Sequence, residues 1–292
     1  MGQKFFQVDV FTDRVFGGNP LAVFPEPGGL NEETHLQIAL EMNLSETTFV
    51  YPPKNPEADF RIRIFTPGKE IPFAGHPTLG TAHVLWETGG ISSTSDSMVL
   101  EMGAGLIKVS KRQTNLYMDQ PLPTFGDTVR AKDQVAAALS IDPTQIDSRF
   151  PIQVVSTGFP ALFVPLMDLD ALRRVELNLT AVRETLGSVD MIYVFTRETL
   201  DTCSTVHSRA FAPFIGIPED PATGSAGGAL GAYLVQHKVI EDLDPSSIVI
   251  EQGFEMNRPS TIQVSVNQTD GEIHSIQVGG QAITVLEGNF RA

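Results

Sequence analysis

The chain has 292 residues, 20 Lys and Arg against 35 Asp and Glu, a formal charge of -15 and a single cysteine. A pI near 4.7 argues against a nucleic-acid binder, which needs cations to displace the counterions of phosphate. One thiol excludes an intrachain disulfide framework and favours a cytoplasmic compartment. No apolar run reaches the roughly 18–20 residues that cross a bilayer, the first residues lack the charged-then-apolar pattern of a signal peptide, and 41% hydrophobic with 19% charged residues describes a folded globular protein.

Phe5 to Val10 alternates as a strand, and Leu21 to Phe24 is a short apolar strand after the Gly17-Gly18-Asn19-Pro20 turn. Asn31-Glu32-Glu33 predicts a helix start, an Asn cap with acids where the dipole favours them. The stripe Leu36, Ile38, Ala39 and Met42 continues that helix, and Asn43 ends it. Thr47 to Tyr51 and Phe60 to Phe65 are strands. The loop ending in Gly75-His76-Pro77 feeds a helix from Thr78 to Glu87, and Met98 to Val109 and Leu116 to Met118 are further strands. Pro121 to Gln145 mixes Pro, Gly and charge and reads as a linker, with one short helix from Gln134 to Leu139.

The second half repeats the order. Val154-Val155 leads to Gly158-Phe159-Pro160 and a strand from Ala161 to Leu166; a helical stretch through Leu172, Val175, Val182 and Leu186 precedes strands at Met191 to Phe195 and Arg209 to Phe211. The Asp220 to Ser225 loop opens a helix from Ala226 to Gln236, and strands at Ile248–Glu251, Thr261–Val266 and His274–Val278 follow. Three landmarks recur in order. Gly18-Asn19-Pro20 matches Gly158-Phe159-Pro160, 140 positions on; Arg63 to Pro67 matches Arg209 to Pro213, 146 on; Gly75 to Thr78 matches Asp220 to Thr223, 145 on. The pattern predicts a duplication, with domains at 1–120 and 121–279 and residues 280–292 returning to the first.

Two equivalent loops that each open a helix bear on function. A helix N-terminus offers unpaired N–H groups and a partial positive charge, so two such ends acting on one ligand make a strong anion site. Gly75 would let the backbone approach a ligand, and Gly224 with the Ser225 hydroxyl would do so in the second loop; the same residues also suit plain turns, and Gly227-Gly228 suits close helix packing. Glu46, between helix and strand among Leu44, Phe49 and Val50, is a candidate proton-transfer base if desolvated, or an outward-pointing junction residue. His76 can hold a substrate or cap a helix, and Asp220 can meet an amine or cap the helix that follows. His83, seven residues after His76, has no acids or thiols beside it that would make a metal site. Gly103-Ala104-Gly105 is not a dinucleotide fingerprint, Gly224-Ser225-Ala226-Gly227 is not a nucleophile elbow, and Cys203 has nothing beside it to activate a thiolate.

The segments Phe16-Gly17-Gly18-Asn19-Pro20, Leu44-Ser45-Glu46-Thr47, Phe65-Thr66-Pro67, Ala74 to Thr78 and Asp220 to Ala226 resemble the PhzF-like phenazine-biosynthesis family, over essentially the whole chain. The resemblance implies an α+β, diaminopimelate epimerase-like fold: two pseudo-symmetric domains, each a β-barrel-like sheet around a central helix. It implies an isomerase in which Glu46 is the acid/base, His76 and Asp220 assist, and Ser45, Gly75, Gly224 and Ser225 bind the substrate carboxylate and its surroundings. No metal or organic cofactor is implied, and a homodimer is. Related epimerases place a thiol in each half; the corresponding positions here are read as Gly75 and Asp220, so a two-thiol mechanism is excluded and a single-base isomerase of a small amino-substituted cyclic carboxylic acid is expected. The competing expectation is a metabolite-binding or interaction protein that keeps the fold without turnover.

Overall fold

The structure, a computed structural model, describes residues 2–186, 189–240 and 243–291; Met1 and Ala292, the outer ends of the expected domain ranges, lie outside the described residues. In chain order the elements are β1 (Gln3–Val10), β2 (Asn19–Phe24), α1 (Glu32–Met42), β3 (Glu46–Tyr51), β4 (Phe60–Phe65), β5 (Glu70–Ile71), α2 (Gly75–Glu87), β6 (Ser97–Met102), β7 (Gly105–Arg112), β8 (Asn115–Gln120), β9 (Thr124–Thr128), α3 (Lys132–Ala138), β10 (Gln153–Ser156), β11 (Pro160–Pro165), α4 (Leu169–Arg173), α5 (Leu179–Leu186), β12 (Ile192–Thr196), β13 (Val206–Ala212), β14 (Ile217–Asp220), α6 (Gly224–Gln236), β15 (Ile248–Gln252), β16 (Ser260–Thr269), β17 (Glu272–Gly280) and β18 (Ala282–Phe290). The fold is α+β, rich in strand with few helices. It divides into two compact units, Met1–Asp119 with Gly279–Ala292, and Gln120–Val278.

Each unit repeats one pattern of strand pairing. In the first, β2 is antiparallel to β1 and parallel to β3, β4 is antiparallel to β3 and β5 and parallel to β6, and β6 is antiparallel to β7. In the second, β11 is antiparallel to β10 and parallel to β12, β13 is antiparallel to β12 and β14 and parallel to β15, and β15 is antiparallel to β16. A buried helix of 13 residues belongs to each unit, α2 in the first and α6 in the second. Both are buried nearly all round, and α6 is correspondingly apolar.

Side-chain contacts fix the correspondence residue by residue. Arg63 forks onto Glu70 at 2.8 and 2.6 Å, as Arg209 does onto Glu219 at 2.9 and 3.0 Å. The Glu101 carboxylate accepts from the N–H groups of Lys54 and Asn55, as Glu251 accepts from Leu200 and Asp201. Gly103 lies against Pro72, and Gly253 against Pro221, each too closely for a Cβ. Ile71-Pro72 therefore corresponds to Asp220-Pro221, and the first helical residues Gly75 and Gly224 correspond, 149 positions apart. The expected match of Gly75 to Thr78 with Asp220 to Thr223 is one turn out of frame. Thr78 lies inside the first turn of α2, whereas Thr223 is the N-cap of α6, and threonine suits both positions.

Other expectations change for local reasons. Met98 to Val109 is a hairpin, β6 and β7, turning at Gly103-Ala104. The Leu172–Val182 stretch is two helices, because the Arg209 guanidinium takes the carbonyls of Leu172 and Val175 at 3.0 Å and ends α4 there. Pro121 to Gln145 is not a linker: β9 pairs with β10 and α3 buries Val135, Ala136 and Ala138 in a core with Leu162, Val164 and Ile192. Its polar composition reflects an edge strand with every residue exposed. The chain after Gly279 forms β18, antiparallel to β1 from Gln3↔Phe290 to Val10↔Ala282.

Candidate active site

In the first unit, α1 ends at Asn43, which turns the chain in the left-handed region (φ 51°, ψ 36°) and donates back to Ala39 O at 3.2 Å. The reversal starts β3 at Glu46, between parallel β2 and antiparallel β4, and leaves Glu46 only 7% exposed. Beside it, Ser45 Oγ donates to Asn19 Oδ1 at 3.2 Å. Asn19 is wholly buried at the head of β2. The preceding Gly18 has φ +62°, and a Cβ there would lie 2.3 Å from Val10 O, so this tight entry requires glycine.

His76 is the second residue of α2, 5% exposed. Its Nε2 lies 3.3 Å from Glu46 Oε2. Burial pushes the imidazole from its ordinary 6.5 down to about 3, so near neutrality the contact joins a carboxyl group to a neutral imidazole and is not an ion pair. The N-cap of α2, Ala74, has no side-chain acceptor, and no side chain caps its first turn from that position.

The second unit holds the other candidates. Asp220 ends β14, 7% exposed, and its Oδ2 accepts from Thr223 Oγ1 at 2.5 Å. Thr223 is the N-cap of α6, yet its hydroxyl serves Asp220 and not the helix, so α6, like α2, starts without a side-chain cap. Gly224 and Ser225 open the helix. Gln120 Nε2 donates to Gly224 O at 3.0 Å, and Thr157 Oγ1 donates to Ser225 O at 3.0 Å and Gln120 Oε1 at 2.8 Å. Those two side chains hold the first turn by its carbonyls.

Ser45, Glu46, Gly75 and His76 thus belong to the first unit, and Asp220, Gly224 and Ser225 to the second. In the shared frame, Ala22↔Thr47 corresponds to Leu162↔Ile192, which makes Met191 the counterpart of Glu46; Ile71 is the counterpart of Asp220 and Ser225 that of His76. The halves carry different chemistry at like positions. Cys203 is exposed in the β12–β13 loop, and neither helix entrance holds a thiol. His83 contacts Thr284 Oγ1 at 3.2 Å and Glu87 at 3.6 Å, and among the described residues no group of three His, Cys, Asp or Glu is arranged to hold a metal. Sequence reading missed Asn19 and Thr223 as anything but turn residues, and missed Gln252 altogether; a glutamine ending a strand carries no local signal.

Comparison with known proteins gives the family of the chain. Residues 8–288 match the family model PhzC-PhzF, the phenazine biosynthesis-like proteins, and the chain belongs to that family. The trans-2,3-dihydro-3-hydroxyanthranilate isomerase of Pseudomonas fluorescens is 35% identical, over 97% of each chain. The crystal structure of a PhzF-family phenazine biosynthesis protein from Bacillus anthracis superposes with a TM-score of 0.91 at 30% identity, covering 100% of both chains. A hydroxyproline epimerase from Agrobacterium vitis shares the fold alone, with a TM-score of 0.65 at 12% identity over 99% of this chain and 92% of that one. The protein is an isomerase of the PhzF type. No helix among the described residues is long and apolar enough to cross a membrane.

Proposed function

We propose that this protein moves a proton between carbons of a small amino-substituted cyclic carboxylic acid, without a cofactor, using Glu46 as its single acid/base. The observation that carries the reading is the buried Glu46 carboxyl group 3.3 Å from an imidazole that burial keeps neutral. A neutral His76 stands beside the carboxyl group without adding the charge that would weaken it as a base. As a carboxylate, Glu46 takes a proton from one ring carbon; the electron pair shifts through the conjugated system, and the carboxylic acid returns a proton to another carbon. Nothing is consumed, so substrate and product are isomers. Asp220 would meet the amine. Ser45, Ser225 and the backbone about Gly75 and Gly224 would bind the carboxylate, supported by two helix starts without side-chain caps.

The test is solvent deuterium incorporation into trans-2,3-dihydro-3-hydroxyanthranilate, the compound on which the Pseudomonas relatives are named to act. Wild type incorporates label as it isomerises the compound. Glu46→Gln loses the general base and slows by about 10²–10⁴-fold; a variant that exchanges at the wild-type rate would remove Glu46 from the mechanism. Unchanged, stoichiometrically bound compound with wild type would favour a binding protein instead.

A further inference from the structure

Asp220 sits in a polar cluster that the proposed chemistry does not use directly. Gln252, the last residue of β15, is wholly buried. Its Nε2 donates to Asp220 O at 2.7 Å and to Thr223 Oγ1 at 3.0 Å; its Oε1 accepts from Thr223 N at 3.2 Å and from the Tyr193 hydroxyl at 2.8 Å. One amide therefore grips both ends of the Asp220–Thr223 turn. Its orientation is unambiguous, because the Asp220 carbonyl can only accept and the Thr223 N–H can only donate. With a lone pair of Thr223 Oγ1 occupied by Gln252, the threonine proton is directed to Asp220 Oδ2.

The first unit shows that the turn does not require this amide. There the corresponding positions are Ile71, Ala74 and Met102 for Asp220, Thr223 and Gln252, and Thr48 for Tyr193. Met102 ends β6 as Gln252 ends β15, the same prolines pack on the same glycines, and a 13-residue helix follows. The first unit thus enters its helix with Ile71, Ala74 and Met102 at these positions and no amide, and burying a glutamine where the other half has a methionine is costly unless every polar atom is met. The polar set occurs only in the half that carries the aspartate.

We propose that Gln252 is a positioning residue for Asp220: it holds the turn and aims the Thr223 hydroxyl so that Oδ2 of the carboxylate is fixed as an acceptor and the side chain is held in one orientation. The kinetic consequence rests on the isomerase reading above; the geometric one does not.

The test measures kcat/KM for trans-2,3-dihydro-3-hydroxyanthranilate in deuterated water. Gln252→Glu keeps the shape but replaces a donor with an acceptor. It should lower kcat/KM about ten- to hundredfold, the range that one hydrogen bond to a charged group can supply. Because Gln252 acts through Asp220, adding Gln252→Glu to Asp220→Asn should cost nothing more; multiplying losses would overturn the proposal. Thr223→Ser, which keeps the hydroxyl, should retain activity where Thr223→Val loses it, and this pair decides the matter if Gln252→Glu does not fold. Crystal structures of Gln252→Glu and Thr223→Val should show the Asp220 carboxylate displaced from its present position, and an unmoved carboxylate would count decisively against the role. A wild-type enzyme inert toward the probe would refute the reaction assigned to it, while the displacement of Asp220 would still decide the role of Gln252.

Discussion

Burial decides what each ionisable side chain near Glu46 can do. His76 has lost its water and remains neutral, so it can hydrogen-bond but cannot neutralise the carboxylate beside it. His76→Gln keeps a neutral polar group of comparable reach and should retain more activity than His76→Ala, which should lose about ten- to hundredfold in kcat/KM; equal losses in the two variants would show that hydrogen bonding is not what His76 supplies. Asn19→Ala removes the acceptor of Ser45 Oγ from a fully buried site and should destabilise the protein by about 1–3 kcal/mol in urea unfolding. The place of Glu46 at a helix–strand junction was legible because that signal is local, an asparagine-ended helix followed at once by a strand, while its burial was not. Asn19 was not: its partner is 26 residues away, and only the parallel pairing of β2 with β3 brings the two together.

The helices show where element-scale reading holds and where it stops. Asn31 caps α1 through Thr34 N as its sequence predicts, and Asn43 closes it. Gly227-Gly228 packs closely, as its sequence suits; what sequence could not show is which side chain lies against it. A Cβ on Gly228 of α6 would lie 2.0 Å from Gln120 Oε1, the side chain whose amide holds Gly224 O. Gly228→Ala must therefore displace Gln120, and should cost about 1–3 kcal/mol in stability and slow turnover, measured by thermal unfolding and deuterium exchange together. A fully stable Gly228→Ala protein would mean that Gln120 has an equally good alternative position. The break between α4 and α5 was hidden for a related reason. The guanidinium that ends α4 belongs to Arg209, on a strand far along the chain.

At the scale of the whole molecule, duplication preserved the strand pairings and the helix frame while the chemistry of matched positions diverged, and each unit buries a histidine of its own that should respond differently to pH. His76 is buried without charge, whereas His207, fully buried on β13, lies between two carboxylates: Nδ1 is 2.6 Å from Glu251 and Nε2 is 3.2 Å from Glu255. Burial alone would push His207 down, but the bonds to Glu251 and Glu255 outweigh it and hold the imidazole above its ordinary 6.5. Both ring nitrogens face acceptors, which suits the doubly protonated form. The two histidines then act on opposite limbs of the stability curve. For His207 the folded pKa is raised, so its contribution is complete below 6.5 and is lost as pH rises through the higher folded value. For His76 the folded pKa is depressed, so its contribution is complete above 6.5 and is lost as pH falls toward about 3, where the unfolded chain binds a proton that the folded one refuses. Thermal midpoints across pH 4–9 should show both effects, within roughly the range where unperturbed histidine titrates and beyond it. His207→Gln should destabilise most at the acidic end of the His207 window and least at pH 9, and His76→Gln should flatten the acid limb. A His207→Gln deficit that is constant with pH would mean that the imidazole is not protonated between its two glutamates, and the cluster would then be held by neutral hydrogen bonds alone.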